Sequence, residues 1–128
     1  MAAVAENRPH LPRLVSVEGY GRGGFRFDGI SHRGSLLCLP SGIWAWPVAR
    51  PADIDAAALV PVFAEAAQID LLLLGTGRDP WIMPEALHVR FRALAINVEV
   101  ARTGTAISTF NILLGEGRRV AAGLVAAD

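Results

Sequence analysis

Apolar residues between positions 14 and 48 recur at every second position, in short groups that glycines and prolines separate. The groups are Val15 with Val17, Phe25 with Phe27, Leu37 with Leu39, and Trp44 with Trp46. A period of two is typical of strands that bury one face. The turn residues between the groups favour hairpins. The pattern therefore predicts a run of antiparallel strands packed against the rest of the chain.

From residue 53 onward, segments with helical spacing alternate with apolar runs. A first helix, capped by Asp53 or Asp55, carries Leu59, Val62, Phe63 and Ala66 on one side. A second helix is expected over about residues 84–94, and a third from Thr103 or Thr105 to a glycine cap at Gly117. Residues 69–74, 95–100 and 119–125 are expected to be the strands between and after these helices.

The order of these elements predicts the fold class. Alternating helices and strands imply parallel pairing through right-handed crossovers, and the apolar run at 71–74 indicates a strand buried on both faces. We expect an α/β fold with a mixed, mostly parallel central sheet, helices on that sheet and an N-terminal antiparallel strand annex. Residues 14–128 are predicted to form one domain, preceded by a flexible tail at residues 1–13.

Composition narrows the functional classes. The chain has 128 residues, 52% of them hydrophobic and 19% charged, which fits one folded domain. Twelve basic residues balance twelve acidic ones, so no nucleic-acid partner is expected. No apolar run approaches the ~20 residues of a membrane helix, and the first residues do not form a secretory signal. We therefore expect a soluble, cytoplasmic protein without a membrane span.

Few residues suggest catalysis or metal binding. The single cysteine, Cys38, lies in an apolar run and is predicted to be a core residue rather than a nucleophile. The three histidines are scattered, without a carboxylate or second histidine at metal-ligand spacing. No catalytic residue, metal or cofactor is predicted.

One loop has a position that suits a ligand. Gly75, Thr76, Gly77 and Arg78 follow the buried strand, and open α/β sheets place ligands at the carboxyl ends of their strands. The third glycine of a dinucleotide fingerprint is missing. The amides of Thr76 and Gly77, with the Arg78 guanidinium, could hold a small anion. A tight turn explains the two glycines equally simply, and we favour that interpretation.

The third helix carries polar residues in or just beyond an apolar element: Thr109, Asn111, Glu116 and Arg118. They could line a pocket together with the loop at residues 75–78. Alternatively, Thr109 and Asn111 form the solvated face, and Glu116 with Arg118 forms a surface ion pair. The helical spacing favours this second interpretation.

Tryptophans mark a candidate partner surface. Trp44 and Trp46 fall on one face of their predicted strand, and Trp81 lies in the loop after the glycines. Core packing is the ordinary role of such residues, whereas an exposed aromatic pair would indicate a binding surface.

Three motifs together resemble those of a known family: LLLGTG at residues 72–77, VEV at 98–100 and AISTFNILLGEGR at 106–118. In order and spacing they are similar to the small conserved proteins grouped with the mitochondrial respiratory complex I assembly factor 3. The resemblance covers residue 14 to the end. This chain differs from the usual family pattern at Phe110, where tyrosine is common, and at Val100 and Ala101, where a methionine and an acidic residue are common.

The resemblance implies an α/β domain of this size whose mitochondrial members bind other assembly factors and early subunits, with no established catalysis. We therefore expect a non-enzymatic protein-interaction module that assists assembly of complex I or another membrane complex, with mitochondrial relatives in eukaryotes. Two alternatives stay open: a small-anion or nucleotide-binding domain or weak enzyme that uses the loop at residues 75–78, and an oligomeric scaffold built on the antiparallel strands.

Overall fold

The strands fall into two sheets in the computed structural model of the chain, which describes residues 8–127. The strands are β1 (Gly19–Gly21), β2 (Gly24–Phe27), β3 (Ile30–Arg33), β4 (Ser35–Leu39), β5 (Gly42–Trp46), β6 (Leu71–Gly75), β7 (Asn97–Ala101) and β8 (Val120–Leu124). The helices are α1 (Val60–Ala64), α2 (Glu85–Ala93) and α3 (Thr103–Gly115), with short 3-10 turns at Pro51–Asp53 and Ala66–Gln68. The predicted α/β class, with its mixed sheet and antiparallel annex, is confirmed.

The main sheet has five strands in the order β5-β4-β8-β6-β7. Strand β6 is parallel to both of its neighbours, β7 and β8, whereas β4 is antiparallel to β5 and β8. The apolar run at 71–74 is therefore an interior strand with parallel partners, as its sequence predicts. Parallel and antiparallel pairings each account for half of this sheet.

The predicted antiparallel region is divided between the two sheets. Strands β1, β2 and β3 form a separate three-stranded sheet, whereas β4 and β5 belong to the main sheet. Strand β4 is buried along its whole length, because it pairs on both sides and is covered on both faces. The annex proper is the three-stranded sheet.

Alternate side chains of β6 pack into hydrophobic clusters on opposite faces of the main sheet. Leu72 and Leu74 pack with Trp46 and with Phe91 of α2 on one face. Leu73 packs on the other face, with Phe110 of α3 and the apolar side chains of the annex. Helix α3 and the annex therefore share one face of the main sheet, and α1 and α2 cover the opposite face.

The first predicted helix is shorter than its apolar spacing suggests. Helix α1 begins at Val60, although Asp53 or Asp55 was the expected cap, because Pro61 has no N–H and fits only in a first turn. Leu59 and Val62 are nevertheless fully buried. The predicted cap of α3 is confirmed: Gly117 has φ of 77°, and its N–H donates to the Leu114 carbonyl at 3.0 Å.

Part of the predicted N-terminal tail lies against the main sheet. The His10 N–H donates to the Ile43 carbonyl at 2.7 Å, and the Ile43 N–H donates to the Leu11 carbonyl at 3.0 Å. Residues 10 and 11 therefore pair with β5 at one edge of the sheet, while residues 1–7 lie outside the described part. None of the helices in residues 8–127 has the length and apolar character needed to cross a bilayer.

Candidate functional site

Internal hydrogen bonds occupy the amides of the glycine loop. The Thr76 N–H donates to the Ala101 carbonyl at 2.9 Å. The Gly77 N–H donates to Thr103 Oγ1 at 2.8 Å, and that hydroxyl donates to the Val125 carbonyl, also at 2.8 Å. Thr103 is completely buried. The Thr76 amide therefore joins the end of β6 to the end of β7, and the Gly77 amide joins the loop to the start of α3 and, through Thr103, to the residue after β8.

Arg78, at the end of this loop, lines a surface cleft of about 750 Å³. The described residues of its lining are Tyr20, Gly77, Arg78, Arg102, Gly104, Thr105, Ser108 and Ala127. None of them is acidic, and two carry guanidinium groups. The cleft lies beside the first turn of α3. Its chemistry would suit a small anion better than a cation.

The polar residues of α3 lie apart from the glycine loop. Helix α3 has 13 residues, so with a rise of about 1.5 Å per residue its two ends are ~18 Å apart. The loop lies at the first end, whereas Glu116 and Arg118 follow the second. Thr109 is half-buried in between, and Asn111 is bonded to the backbone of Val17. The structure does not bring the eight residues of the predicted pocket together.

The expected ion pair between Glu116 and Arg118 is absent among the described residues. Their ion pairs join Arg13 to Asp28, Arg50 to Asp53, Arg92 to Glu85, and Arg119 to Asp70. Arg118 instead lines a shallow hollow that also includes Arg119.

The tryptophans have three different environments. Trp46 is buried, and its indole Nε1–H donates to the Ala58 carbonyl at 2.9 Å. Trp44 is partly buried on the same face, with Nε1–H donating to Ser41 Oγ at 2.9 Å. Trp81 is also partly buried against this core. Only Trp44 and Trp81 can offer surface to a partner.

The shifted titratable groups do not form a catalytic or metal-binding arrangement within the described residues. Burial raises the pKa of the Cys38 thiol to about 12. Burial also lowers the pKa of His32, His10 acts in the same direction, and the Ser35 carbonyl opposes them. Within residues 8–127, no three histidine, cysteine, aspartate or glutamate side chains lie close enough to share a metal ion.

A surface of which sequence reasoning found only Trp81 lies at the other edge of the main sheet, along β7. Pro80 and Trp81 line a hollow of about 320 Å³ together with Val100 of β7. Ile82, the next residue, is 91% exposed, and Val100 is 38% exposed. We call Pro80, Trp81, Ile82 and strand β7 the edge surface. The signal in the sequence was an apolar pair, Trp81 and Ile82, inside a loop with two prolines.

The fold and this surface define a small α/β domain with a mixed five-stranded sheet, an antiparallel annex and an apolar loop beside an open sheet edge. Residues 17–125 match the family described as protein of unknown function DUF498/DUF598, and the chain belongs to that family. The resemblance drawn from the sequence motifs is thereby confirmed.

Two curated relatives show the range of the family. The chain is 38% identical to an uncharacterized protein of Rhodobacter capsulatus, over 95% of this chain and 93% of that protein. It is 34% identical to NADH dehydrogenase [ubiquinone] 1 alpha subcomplex assembly factor 3 of Danio rerio, over 85% of this chain. The match covers 63% of the length of the Danio rerio protein. Relatives of this chain thus include proteins named as complex I assembly factors.

Solved structures agree with the fold. An outer membrane protein from Bartonella henselae has a TM-score of 0.89 and 41% identity, over 93% of this chain and all of that one. A Bordetella pertussis protein described as a Mth938-like domain has a TM-score of 0.77 and 30% identity, over 88% of this chain and 85% of that one. The arrangement of sheet and helices is therefore shared with these solved structures.

Proposed function

We propose that this protein is a non-enzymatic protein-interaction module that assists assembly of respiratory complex I or of another membrane complex. The observation that carries the proposal is the edge surface, where the half-buried Trp81 lies beside Val100 of the open strand β7 and the next residue, Ile82, is almost fully exposed. The names of the curated relatives support the choice of complex I.

The edge surface has the composition of a binding site. Single exposed apolar residues are common on proteins and need no explanation. Here Ile82 adjoins Trp81, and Trp81 shares a hollow with Val100. Tryptophan is prominent among residues that contribute most to binding energy. A partner that covers the hollow would remove Trp81 and Val100 from water, and the exposed Ile82 adjoins Trp81 in the chain.

The arrangement of polar groups favours binding over catalysis. The glycine-loop amides are bonded internally, and the thiol of Cys38 is buried and protonated. A nucleophile needs an adjacent base or a lowered pKa, and Cys38 has the opposite environment. The basic cleft beside Arg78 offers charge but no base among its described lining residues.

The test combines genetics with capture of partners in an organism that carries complex I. We expect deletion to reduce assembled complex I, measured by native electrophoresis and by NADH:ubiquinone oxidoreductase activity. The tagged protein should recover complex I subunits after cross-linking. Ile82→Glu should lower that recovery by about tenfold or more, because it places a charge at the centre of the interface.

A matched control separates the interface from general surface effects. Ile112 is also an exposed isoleucine, at 61%, but it lies on α3 over the other face of the main sheet. Ile112→Glu should leave partner recovery unchanged, and both variants should unfold like the parent protein. Normal complex I levels in the deletion strain, with no subunit recovered, would refute the proposed role.

A further inference from the structure

We propose that β7 is a docking strand, to which an extended segment of a different protein adds as the sixth strand of the main sheet. This inference rests on the proposed function and specifies how the partner binds. Its strongest support is the direction of the backbone groups along β7.

The backbone groups of β7 alternate between two sides. The Asn97 N–H donates to the Asp70 carbonyl at 3.0 Å, and the Ala101 carbonyl accepts from the Thr76 N–H at 2.9 Å. In a parallel pair, successive residues direct their N–H and C=O groups to opposite sides. Residues 97, 99 and 101 therefore bond towards β6. Val98 and Val100 direct their N–H and C=O groups to the open side.

No described strand pairs with that side of β7, which is the last strand of the sheet. Proteins usually protect such edges with proline, bulges, lysine or a covering loop. Strand β7 contains no proline, and its register with β6 is continuous over five residues. At the opposite edge of the sheet, residues 10 and 11 pair with β5. Of the two edges of the main sheet, β7 is thus the one whose backbone no described residue pairs with.

The two faces of β7 specify the side chains of the added strand. Val98 and Val100 are in register with Leu72 and Leu74, so they share the face on which Trp81 packs. An added strand with apolar residues at alternate positions would extend this face over the hollow beside Trp81. The exposed Glu99 points to the other face. A basic residue opposite Glu99 would complement its charge.

Glu99 also argues against a second copy of this chain as the occupant. Antiparallel pairing of two β7 strands about residue 99 would place two Glu99 carboxylates directly opposite each other. Like charges at opposed positions destabilise a strand pair. A heterologous segment with a basic residue avoids that repulsion.

The probe for the test is a displayed library of random peptides of about eight residues, the length of an ordinary strand. The library is selected against the purified protein. We expect the selected peptides to alternate apolar residues and to carry a lysine or arginine between them. Binding should protect the amides of Val98 and Val100 from hydrogen exchange. The amides of Glu99 and Ala101, already bonded to β6, should change little.

Two substitutions at one position separate the backbone from the side chain. Val98→Pro removes an outward N–H and no bond to β6, so binding should weaken by about tenfold or more. Val98→Thr keeps the N–H and should bind nearly as well as the parent protein. If Val98→Pro fails to fold, Glu99→Lys serves instead, and it should change the selected peptides from basic to acidic.

Three outcomes would overturn the inference. They are equal binding to Val98→Pro and Val98→Thr, peptide binding without protection of the Val98 and Val100 amides, and a concentration-dependent dimer that Val98→Pro abolishes. The test is distinguishable from that of the proposed function. If Ile82→Glu abolishes the recovery of complex I subunits and Val98→Pro does not, the proposed function stands and strand addition is rejected. If peptide binding protects the β7 amides from exchange but the deletion strain assembles complex I normally, strand addition stands and the proposed function is rejected.

Discussion

The carboxamide of Asn111 makes two hydrogen bonds with the backbone of a single residue, Val17. The Val17 N–H donates to Asn111 Oδ1 at 2.9 Å, and Asn111 Nδ2 donates to the Val17 carbonyl at 2.8 Å. The side chain thereby satisfies both backbone groups of Val17, as a neighbouring strand would. This pair ties the middle of α3 to the segment that enters the annex.

Replacing Asn111 should therefore destabilise the protein. Asn111→Ala leaves a partly buried N–H and C=O without partners, and we expect a loss of about 2 kcal/mol in the free energy of unfolding. Asn111→Asp keeps the acceptor but loses the donor and should also be destabilising. Urea denaturation measures the free energy of unfolding of both variants, and Ser108→Ala, on the exposed side of α3, is the control. A loss below about 0.5 kcal/mol for Asn111→Ala would show that the pair contributes little.

The sequence predicted those features that depend on neighbouring residues. Period-two spacing, helical spacing and apolar runs located most elements, and Gly117 marked the end of α3. Strand β3 was not predicted, and β1 lies at Gly19–Gly21 rather than at Val15 and Val17. The role of Asn111 could not be found this way, because its partner lies 94 residues away in the chain. Helical spacing placed it on a solvated face, and only the position of the annex makes that face an internal contact.

The candidate site shows the same limit. The position of the loop after β6 was correctly predicted, but the engagement of its Gly77 amide depends on Thr103, which lies 26 residues later. The division of the antiparallel strands between two sheets also depends on a distant partner, because β4 joins the main sheet through β8. Pairings across such separations leave no periodic signal in one sequence.

Two glycines should respond in opposite directions to the same substitution. A Cβ on Gly123 would lie 2.9 Å from Trp46 Cη2 and 3.0 Å from Leu74 Cδ2. Trp46 is buried and bonded to Ala58, so it cannot easily move. Gly123→Ala should therefore cost about 1–3 kcal/mol through overpacking.

Gly115 provides the matched control for this prediction. Nothing lies within 4 Å of a Cβ added there, and Gly115 is the last residue of α3. Gly115→Ala should raise stability by about 0.5–1 kcal/mol, because alanine loses less backbone entropy in a helix. Thermal unfolding of both variants checks the opposite signs. Equal effects at the two sites would contradict the close packing of Trp46 on β8.

Leu73 tests the interior position of β6. It is 1% exposed and packs against α3 and the annex, while its strand pairs on both sides. Leu73→Asp buries an unpaired charge at a cost of several kcal/mol and should unfold the domain. Circular dichroism and gel filtration measure the loss. Glu99→Asp is the control, at the residue of β7 that pairs with Leu73, and it should be tolerated. Native-like thermal stability of Leu73→Asp would refute the interior position of β6.

Cys38 should react only when the protein opens. Its thiol is fully buried, and burial raises its pKa to about 12, from an ordinary value of 9.0. At about pH 8 almost no thiolate exists in the folded protein. The rate at which iodoacetamide modifies Cys38 should therefore rise with urea in proportion to the unfolded fraction. An added thiol at exposed Ser108→Cys should react at once. Rapid modification of Cys38 in native conditions would contradict its burial.

The same shift predicts the alkaline behaviour of the protein. The pKa of Cys38 is higher in the folded state than in the unfolded chain, so the unfolded chain loses this proton first as pH rises. The free energy of unfolding should therefore fall above about pH 9. Cys38→Ala should reduce this fall, although it also lowers stability at all pH values by leaving a small cavity.

The last prediction concerns Arg78 and distinguishes the interaction module from the anion-binding alternative. The Thr76 and Gly77 amides are bonded to Ala101 and Thr103, so they do not point donors at a ligand. We therefore expect that phosphate and nucleotides, compared with chloride at equal ionic strength, do not raise the thermal midpoint in a saturable way. Arg78→Ala and Arg102→Ala should be equally insensitive. A ligand that binds only the native state raises the midpoint with its concentration, so a saturable shift that Arg78→Ala abolishes would establish anion binding instead.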